Sequence, residues 1–119
     1  MRYITILALV LLLLRLDIGS AHAHAFLDHA DPRVGNTMKG SPRTVSLWFT
    51  QNVESNFSTI VVLDSNGARM NAGNASVDTN DRKLLRVSVK ALPAGTYTVK
   101  WRVLFGGYPY DGGQLHLSR

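Results

Sequence analysis

The chain has 119 residues, of which 45% are hydrophobic and 18% charged, and this length accommodates one small domain rather than two. It contains no Cys, which excludes disulfides and thiolate metal sites. Any metal ligand must therefore be His, a carboxylate, Met or the chain terminus. The formal net charge is +5, but the basic residues are scattered from Arg33 to Arg119 without a cluster in the sequence. We therefore expect no binding to nucleic acid.

Residues 1–23 predict a cleaved secretory signal peptide. Arg2 precedes an uncharged run from Ile4 to Leu14, and Ala21-His22-Ala23 has the small-x-small pattern that signal peptidase reads. A membrane anchor is the alternative, but the run is shorter than the ~20 apolar residues that span a bilayer. We expect residues 24–119 to be the exported domain. Cleavage after Ala21 also fits the pattern.

Four segments of the exported part predict β-strands: Thr44 to Thr50, Phe57 to Leu63, Leu84 to Val89 and Thr96 to Leu104. Their apolar residues alternate, and turn signals such as Asn66-Gly67 separate them. No segment has helical periodicity over two turns. Several short strands at this spacing predict an all-β fold, an antiparallel sandwich or Greek-key barrel.

Alternation also predicts which side chains form the core. Val45, Leu47 and Phe49 share one face of their strand, and Trp48 points to the other. One face of the strand predicted from Thr96 to Leu104 carries Tyr97, Val99, Trp101 and Val103. We expect both Trp48 and Trp101 to belong to the core, and the isolated Met38 and Met70 to be packing or surface residues.

The new N-terminus carries a candidate metal chelator. Cleavage after Ala23 makes His24 the first residue, so one residue offers an α-amine and an imidazole, nitrogen donors that suit Cu(II). The α-amine has a reference pKa near 8, so the metal must displace a proton near neutral pH. Cleavage after Ala21 would instead give His22-Ala23-His24, in which an amine, two backbone nitrogens and an imidazole surround Cu(II) in one plane. The alternative is that His22 and His24 bind no metal and are remnants of the signal sequence. His29 would lie on the opposite face from His24 in an extended segment, which indicates an exposed residue rather than a co-ligand.

A family resemblance rests on motifs in order along the chain. These are His24-Ala-Phe-Leu-Asp-His-Ala-Asp-Pro32, Gly35-Asn-Thr, Pro42-x-x-Val-x-Leu-x-Phe49, Leu92-x-x-Gly95-x-Tyr97 and Trp101-Arg-Val103. Together they resemble the CopC family of periplasmic copper-resistance proteins. The resemblance implies a seven-stranded immunoglobulin-like Greek-key barrel and Cu(II) binding in the periplasm, with His24 as a ligand. It also implies partnership with a CopD-type inner-membrane copper transport protein, separate or fused. We expect a monomer.

The tail from Phe105 to Arg119 departs from the family pattern. The family has an Asp-x-His motif here, which supplies two more Cu(II) ligands, and then a last strand. In this chain Asp111 and His116 are the only nearby candidate ligands, and their spacing of five differs from the motif. The glycines at 106, 107, 112 and 113 predict a loose loop. Polar and apolar residues still alternate from Gln114 to Ser118, which is compatible with an edge strand as the last of the seven strands.

One extra base in the codon of Phe105 would account for this tail. With suitable synonymous codons, the shifted reading of Phe105 to Ser118 is Ser-Val-Asp-Thr-His-Thr-Thr-Glu-Gly-Asn-Phe-Thr-Phe. This phrase contains Asp-x-His and an alternating last strand. A frameshifted product would lack two of the three expected copper ligands. A natural divergent tail is the alternative hypothesis.

Several functions are compatible with the sequence. The first is a periplasmic Cu(II)-binding protein for copper resistance, homeostasis or delivery, which is not an enzyme. The second is a copper oxygenase in which an N-terminal His activates oxygen, although the chain has no well-placed second His. The third is a metal-free β-sandwich interaction module, and the fourth is a frameshifted product with weakened copper binding. The chain has no nucleophile elbow, no phosphate-binding Gly loop and no paired catalytic carboxylates.

Overall fold

The computed structural model describes residues 27–106 and 111–119, so the signal peptide and His24 lie outside the described residues. Within these residues the chain forms seven strands and one turn of 3-10 helix, Ser55–Phe57. The strands are β1 (Leu27–Asp31), β2 (Thr44–Phe49), β3 (Thr59–Leu63), β4 (Ser76–Val77), β5 (Leu84–Ser88), β6 (Thr96–Val103) and β7 (Asp111–Ser118). No helix in this part of the chain is long and apolar enough to cross a membrane.

The strands form two antiparallel sheets. The first has the order β1-β2-β5-β4 and the second the order β3-β6-β7. Both orders are those of a constant-type immunoglobulin domain, in which the chain crosses between the sheets after the second strand. The predicted immunoglobulin-like Greek-key sandwich is therefore confirmed.

The core lies between the sheets and follows the predicted alternation. Val45, Leu47 and Phe49 of β2 are buried against the sheet that contains Tyr97, Val99 and Val103 of β6. Trp101, Met38 and Met70 are partly buried and pack against this core, as predicted. Alternate residues of each strand thus supply the apolar contacts that hold the sheets together.

Two details of the sequence prediction were wrong. Trp48 is not a core residue: it lies on the outer face of β2, because it alternates with the inward-facing Leu47 and Phe49. The imidazole of His29 stacks on its indole, with ring centroids 4.4 Å apart and planes 11° apart. Phe57 is not in β3 but in the preceding 3-10 turn, where it is 57% exposed.

Two polar side chains fix the connections between the sheets. The hydroxyl of Tyr97, near the start of β6, donates to the carbonyl of Pro93 four residues upstream, which is the tyrosine corner of immunoglobulin-like domains. The second is Asn71, which is buried beside β3. Its Oδ1 accepts from the backbone N–H of Val62 at 2.8 Å, and its Nδ2 donates to the carbonyl of Ile60 at 2.8 Å. The side-chain amide of Asn71 therefore makes hydrogen bonds that a neighbouring strand would otherwise make along one edge of β3.

We predict that Asn71→Ala destabilises the fold by about 2–4 kcal/mol, because it leaves a buried N–H and a buried C=O without their partners. Urea unfolding measures this change. The matched control is Asn74→Ala at an exposed position, which should stay within about 0.5 kcal/mol of the unsubstituted chain. Equal effects of the two substitutions would contradict a structural role for Asn71.

Candidate metal centre

The tail forms the last strand of the second sheet. β7 pairs with β6 along its whole length, from Asp111 opposite Val103 to Ser118 opposite Thr96. The predicted edge strand is thus confirmed and is longer than expected. Gly112 and Gly113 belong to this strand, which corrects the prediction that they loosen the preceding loop.

The backbone of Gly113 lies directly against the indole ring of Trp101. A Cβ atom at this position would lie 2.4 Å from Cζ2 of the indole, so the ring packs against the bare backbone of β7. Leu115 and Leu117 follow on the same inward face and are buried. β7 therefore requires a glycine at position 113 and apolar residues at 115 and 117.

The shifted reading of the tail meets the same three requirements. It also has Gly at position 113, and it has Phe at positions 115 and 117. Either reading therefore allows β7 to form, because the strand depends on these inward positions. The Asp and His of the shifted reading would fall at positions 107 and 109, outside the described residues.

The start of β7 lies at the same end of the sandwich as the start of β1. Leu27 pairs with Phe49, whose ring centroid is 5.7 Å from that of Phe105. Phe105 follows β6 at the end where Val103 pairs with Asp111. We call this the Asp111 end. The described chain therefore begins close to one of the predicted ligand residues.

The structure does not bring Asp111 and His116 together. Asp111 is half-buried and lies on the inward-facing side of β7, opposite Val103. His116 is exposed on the outer side, with Nδ1 3.3 Å from Oγ1 of Thr98. Five residues of extended strand separate them by about 16 Å. One metal ion cannot be bound by both side chains.

The described residues do not form a complete metal site. Within residues 27–106 and 111–119, no group of three or more His, Asp or Glu residues is close enough to hold a metal ion. A site at the Asp111 end therefore requires at least one ligand from outside the described residues. A cleft of about 400 Å³ opens at this end, and it is lined by Thr50, Gln51, Asn52, Lys83, Phe105 and Gly106.

His29 lies on a different surface. Its Nδ1 is 2.7 Å from a carboxylate oxygen of Asp28, and its ring covers Trp48 on the outer face of the first sheet. The pairing register shifts between Leu27 and His29, which indicates a β-bulge. The bulge interrupts the strict alternation of an extended strand at His29. The prediction that this residue is exposed is nevertheless confirmed.

Comparison with known proteins identifies the family. The CopC domain model matches residues 27–106. The chain belongs to the CopC family. The match ends at residue 106, just before the part of the tail in which the family resemblance implies an Asp-x-His motif. β7 is therefore the part of this CopC domain that the family model does not cover.

Two curated relatives are similar over most of the chain. Copper transport protein CutJ of Bacillus subtilis (strain 168) is 28% identical over 95 residues, which cover 78% of this chain but 18% of CutJ. The chain therefore spans less than a fifth of that protein. Protein YobA of Escherichia coli (strain K12) is 32% identical over 98 residues, which cover 82% of this chain and 79% of YobA.

Solved structures show the same fold. CopC from Methylosinus trichosporium OB3b is 30% identical, with a TM-score of 0.74 over 80% of this chain and 92% of that one. PcoC, a methionine-rich copper resistance protein from Escherichia coli, is 24% identical, with a TM-score of 0.69 over 81% and 98% of the two chains. The likeness to PcoC supports the fold alone.

We predict that Gly113→Ala destabilises this CopC domain by about 1–3 kcal/mol, because the added methyl group displaces Trp101 from β7. Thermal and urea unfolding measure the loss, and near-ultraviolet circular dichroism reports the movement of the indole. Gly40→Ala is the control, since a Cβ there meets nothing within 4 Å. An unchanged stability of the Gly113 variant would show that β7 does not pack on Trp101.

Proposed function

We propose that this CopC domain binds copper(II) in the periplasm, for copper resistance, homeostasis or delivery. The copper ion is its cargo, and the α-amine and imidazole of His24 are its principal ligands. Membership of the CopC family supports a copper-related role, as does the name of the copper transport protein CutJ. The observation that carries the proposal is that β1 begins at the Asp111 end.

Chain length restricts where His24 can act. Two residues lie between His24 and Leu27, so the Cα of His24 can lie at most about 11 Å from the start of β1. Leu27 pairs with Phe49, which packs against Phe105 at the Asp111 end. The Asp111 end is therefore the end of the sandwich that His24 can reach, and we propose the carboxylate of Asp111 as the third donor.

The donor set suits the proposed ion. An amine nitrogen, an imidazole nitrogen and a carboxylate oxygen form a nitrogen and oxygen site of the kind that Cu(II) prefers. Water can complete the coordination, because the cleft beside Phe105 is open to solvent. His116 is not part of the proposed site, since it faces outward from the middle of the sheet.

The site binds and releases its cargo without chemistry on a substrate. Copper binding requires a neutral α-amine, so acidification competes with the metal and favours release. Release to a CopD-type inner-membrane protein would complete a transport step. We propose that the domain acts as a monomer in this exchange.

The first of three predictions for the proposed copper site concerns the N-terminus. A chain that begins at His24 should bind one Cu(II), and a four-residue Gly-Ser extension before His24 should weaken binding at least about tenfold, which corresponds to about 1.4 kcal/mol. Isothermal titration calorimetry measures both affinities. His116→Gln is the control and should change the affinity less than about twofold. Full affinity in the extended chain would refute the role of the amine.

The second prediction separates the two possible signal cleavages. In a chain that begins at His24, Asp111→Asn should lower Cu(II) affinity at least about tenfold, because the site loses a charged donor. In a chain that begins at His22, the planar chelator needs no carboxylate, and the same substitution should have no effect. Mass spectrometry of the exported protein identifies which terminus exists. An effect of Asp111→Asn that is equal in both chains would contradict the assignment.

The third prediction tests the shifted reading. A chain that carries Ser-Val-Asp-Thr-His-Thr-Thr-Glu-Gly-Asn-Phe-Thr-Phe from position 105 should fold, because its glycine and phenylalanines meet the requirements of β7. Its Asp and His should raise Cu(II) affinity by at least about tenfold over the present tail. Equal affinities of the two chains would show that the present tail already supplies a full site.

A further inference from the structure

Basic side chains that are far apart in the sequence converge at the end of the sandwich opposite Asp111. All are exposed, and none forms an ion pair with another described residue. We call this surface the basic end, and its members are Lys39, Arg43, Arg69, Lys90 and Arg119. These residues form no cluster in the sequence, because they lie on five separate segments. The topology brings them together.

Backbone hydrogen bonds join three of these segments. The N–H of Val89 donates to the carbonyl of Arg43 at 3.0 Å. The N–H of Lys90 donates to the carbonyl of Met70 at 2.9 Å, next to Arg69. Arg43, Arg69 and Lys90 therefore belong to adjacent backbone segments.

The remaining two basic residues are held beside them. The N–H of Met38 donates to the carbonyl of Ser118 at 2.8 Å, which places Lys39 next to Arg119. The guanidinium of Arg119 donates to the carbonyl of Leu92 at 2.5 Å, two residues after Lys90. The five basic residues therefore lie on neighbouring backbone segments at one end of the sandwich.

The acidic residues do not cancel this charge. Asp31 and Asp64 are the carboxylate side chains near the basic end, and Arg33 adds a further cation. Oδ1 of Asp64 accepts two backbone N–H groups of its own turn, at 2.9 and 2.8 Å. The other described acidic residues lie toward the Asp111 end or beside the start of β5, and they are Asp28, Glu54, Asp78, Asp81 and Asp111.

We propose that the basic end binds the surface of an anionic phospholipid membrane. Lipid headgroups offer many mobile negative charges, which suit long, exposed basic side chains on several separate segments. The nearby cleft of about 490 Å³ lies beside β7 and is lined by none of the five basic residues, so this cleft does not combine with them into a groove for an acidic peptide. Val34, which is 49% exposed in the same connection as Lys39, can contact the interfacial layer.

Binding through the basic end fixes the orientation of the domain relative to the membrane. The basic end and the Asp111 end are at opposite ends of β7. The membrane-bound domain therefore keeps its Asp111 end toward the solution. This inference does not depend on copper binding, and its test contains no metal.

Vesicle flotation tests the proposal with a chain that begins at His24, which keeps every core residue and lacks the apolar leader. It should bind vesicles of phosphatidylglycerol and phosphatidylcholine at low salt, and not vesicles of phosphatidylcholine alone. Arg43→Gln combined with Arg69→Gln and Lys90→Gln should weaken binding at least about tenfold. The control combines Arg82→Gln, Lys83→Gln and Lys100→Gln, which lowers the net charge equally away from the basic end and should cost less than about threefold.

Three outcomes would overturn the proposal. The first is no binding of the unsubstituted chain to anionic vesicles. The second is an equal loss in both triple variants, which would show that net charge alone is responsible. The third is binding to polyglutamate or duplex DNA in preference to the vesicles, which would assign the basic end to another class of partner. Circular dichroism confirms that both variants fold.

Discussion

The pairing of β7 with β6 is the constraint on which the other features depend. It requires a bare backbone at Gly113, where the indole of Trp101 packs, and it buries Leu115 and Leu117 against the core. The same pairing holds Asp111 at one end of the sheet. At the other end, the backbone N–H and C=O of Arg119 bond those of Gly95 at 2.9 and 3.0 Å. The tail thus completes an immunoglobulin-like sandwich, although it lacks the Asp-x-His motif that the family resemblance implies.

This pairing separates two surfaces with different chemistry. The Asp111 end combines a half-buried carboxylate with the start of β1, and the proposed copper site depends on both. The basic end is formed by connections between strands, and its side chains have no ionic partner among the described residues. An extended strand of eight residues spans about 25 Å, so each surface can act without blocking the other. A domain of this kind could exchange its cargo while it is held at a membrane.

Alternation predicted four strands and most of the core, because apolar side chains recur at every second residue of β2, β3, β5 and β6. It did not predict β1, whose sequence is mostly polar and whose bulge breaks the period, or β4, which has only two residues. Trp48 is strongly apolar but lies on the outer face, because its position in the alternation of β2 decides which face it occupies. The sequence also indicated which residue types can bind copper. It could not show that Asp111 and His116 face opposite ways, or that five basic residues converge, since register and topology decide both.

The most direct test of the proposed copper site is paramagnetic broadening of backbone amide signals in the 15N-labelled domain that begins at His24. Cu(II) at one molar equivalent should abolish the signals of Leu27, Phe105 and Asp111. It should leave those of Asn66 and Lys90, at the basic end, unchanged. This result would place the ion where β1 and β7 begin. Broadening centred on His116 or His29, with the Asp111 signal retained, would contradict the proposed site.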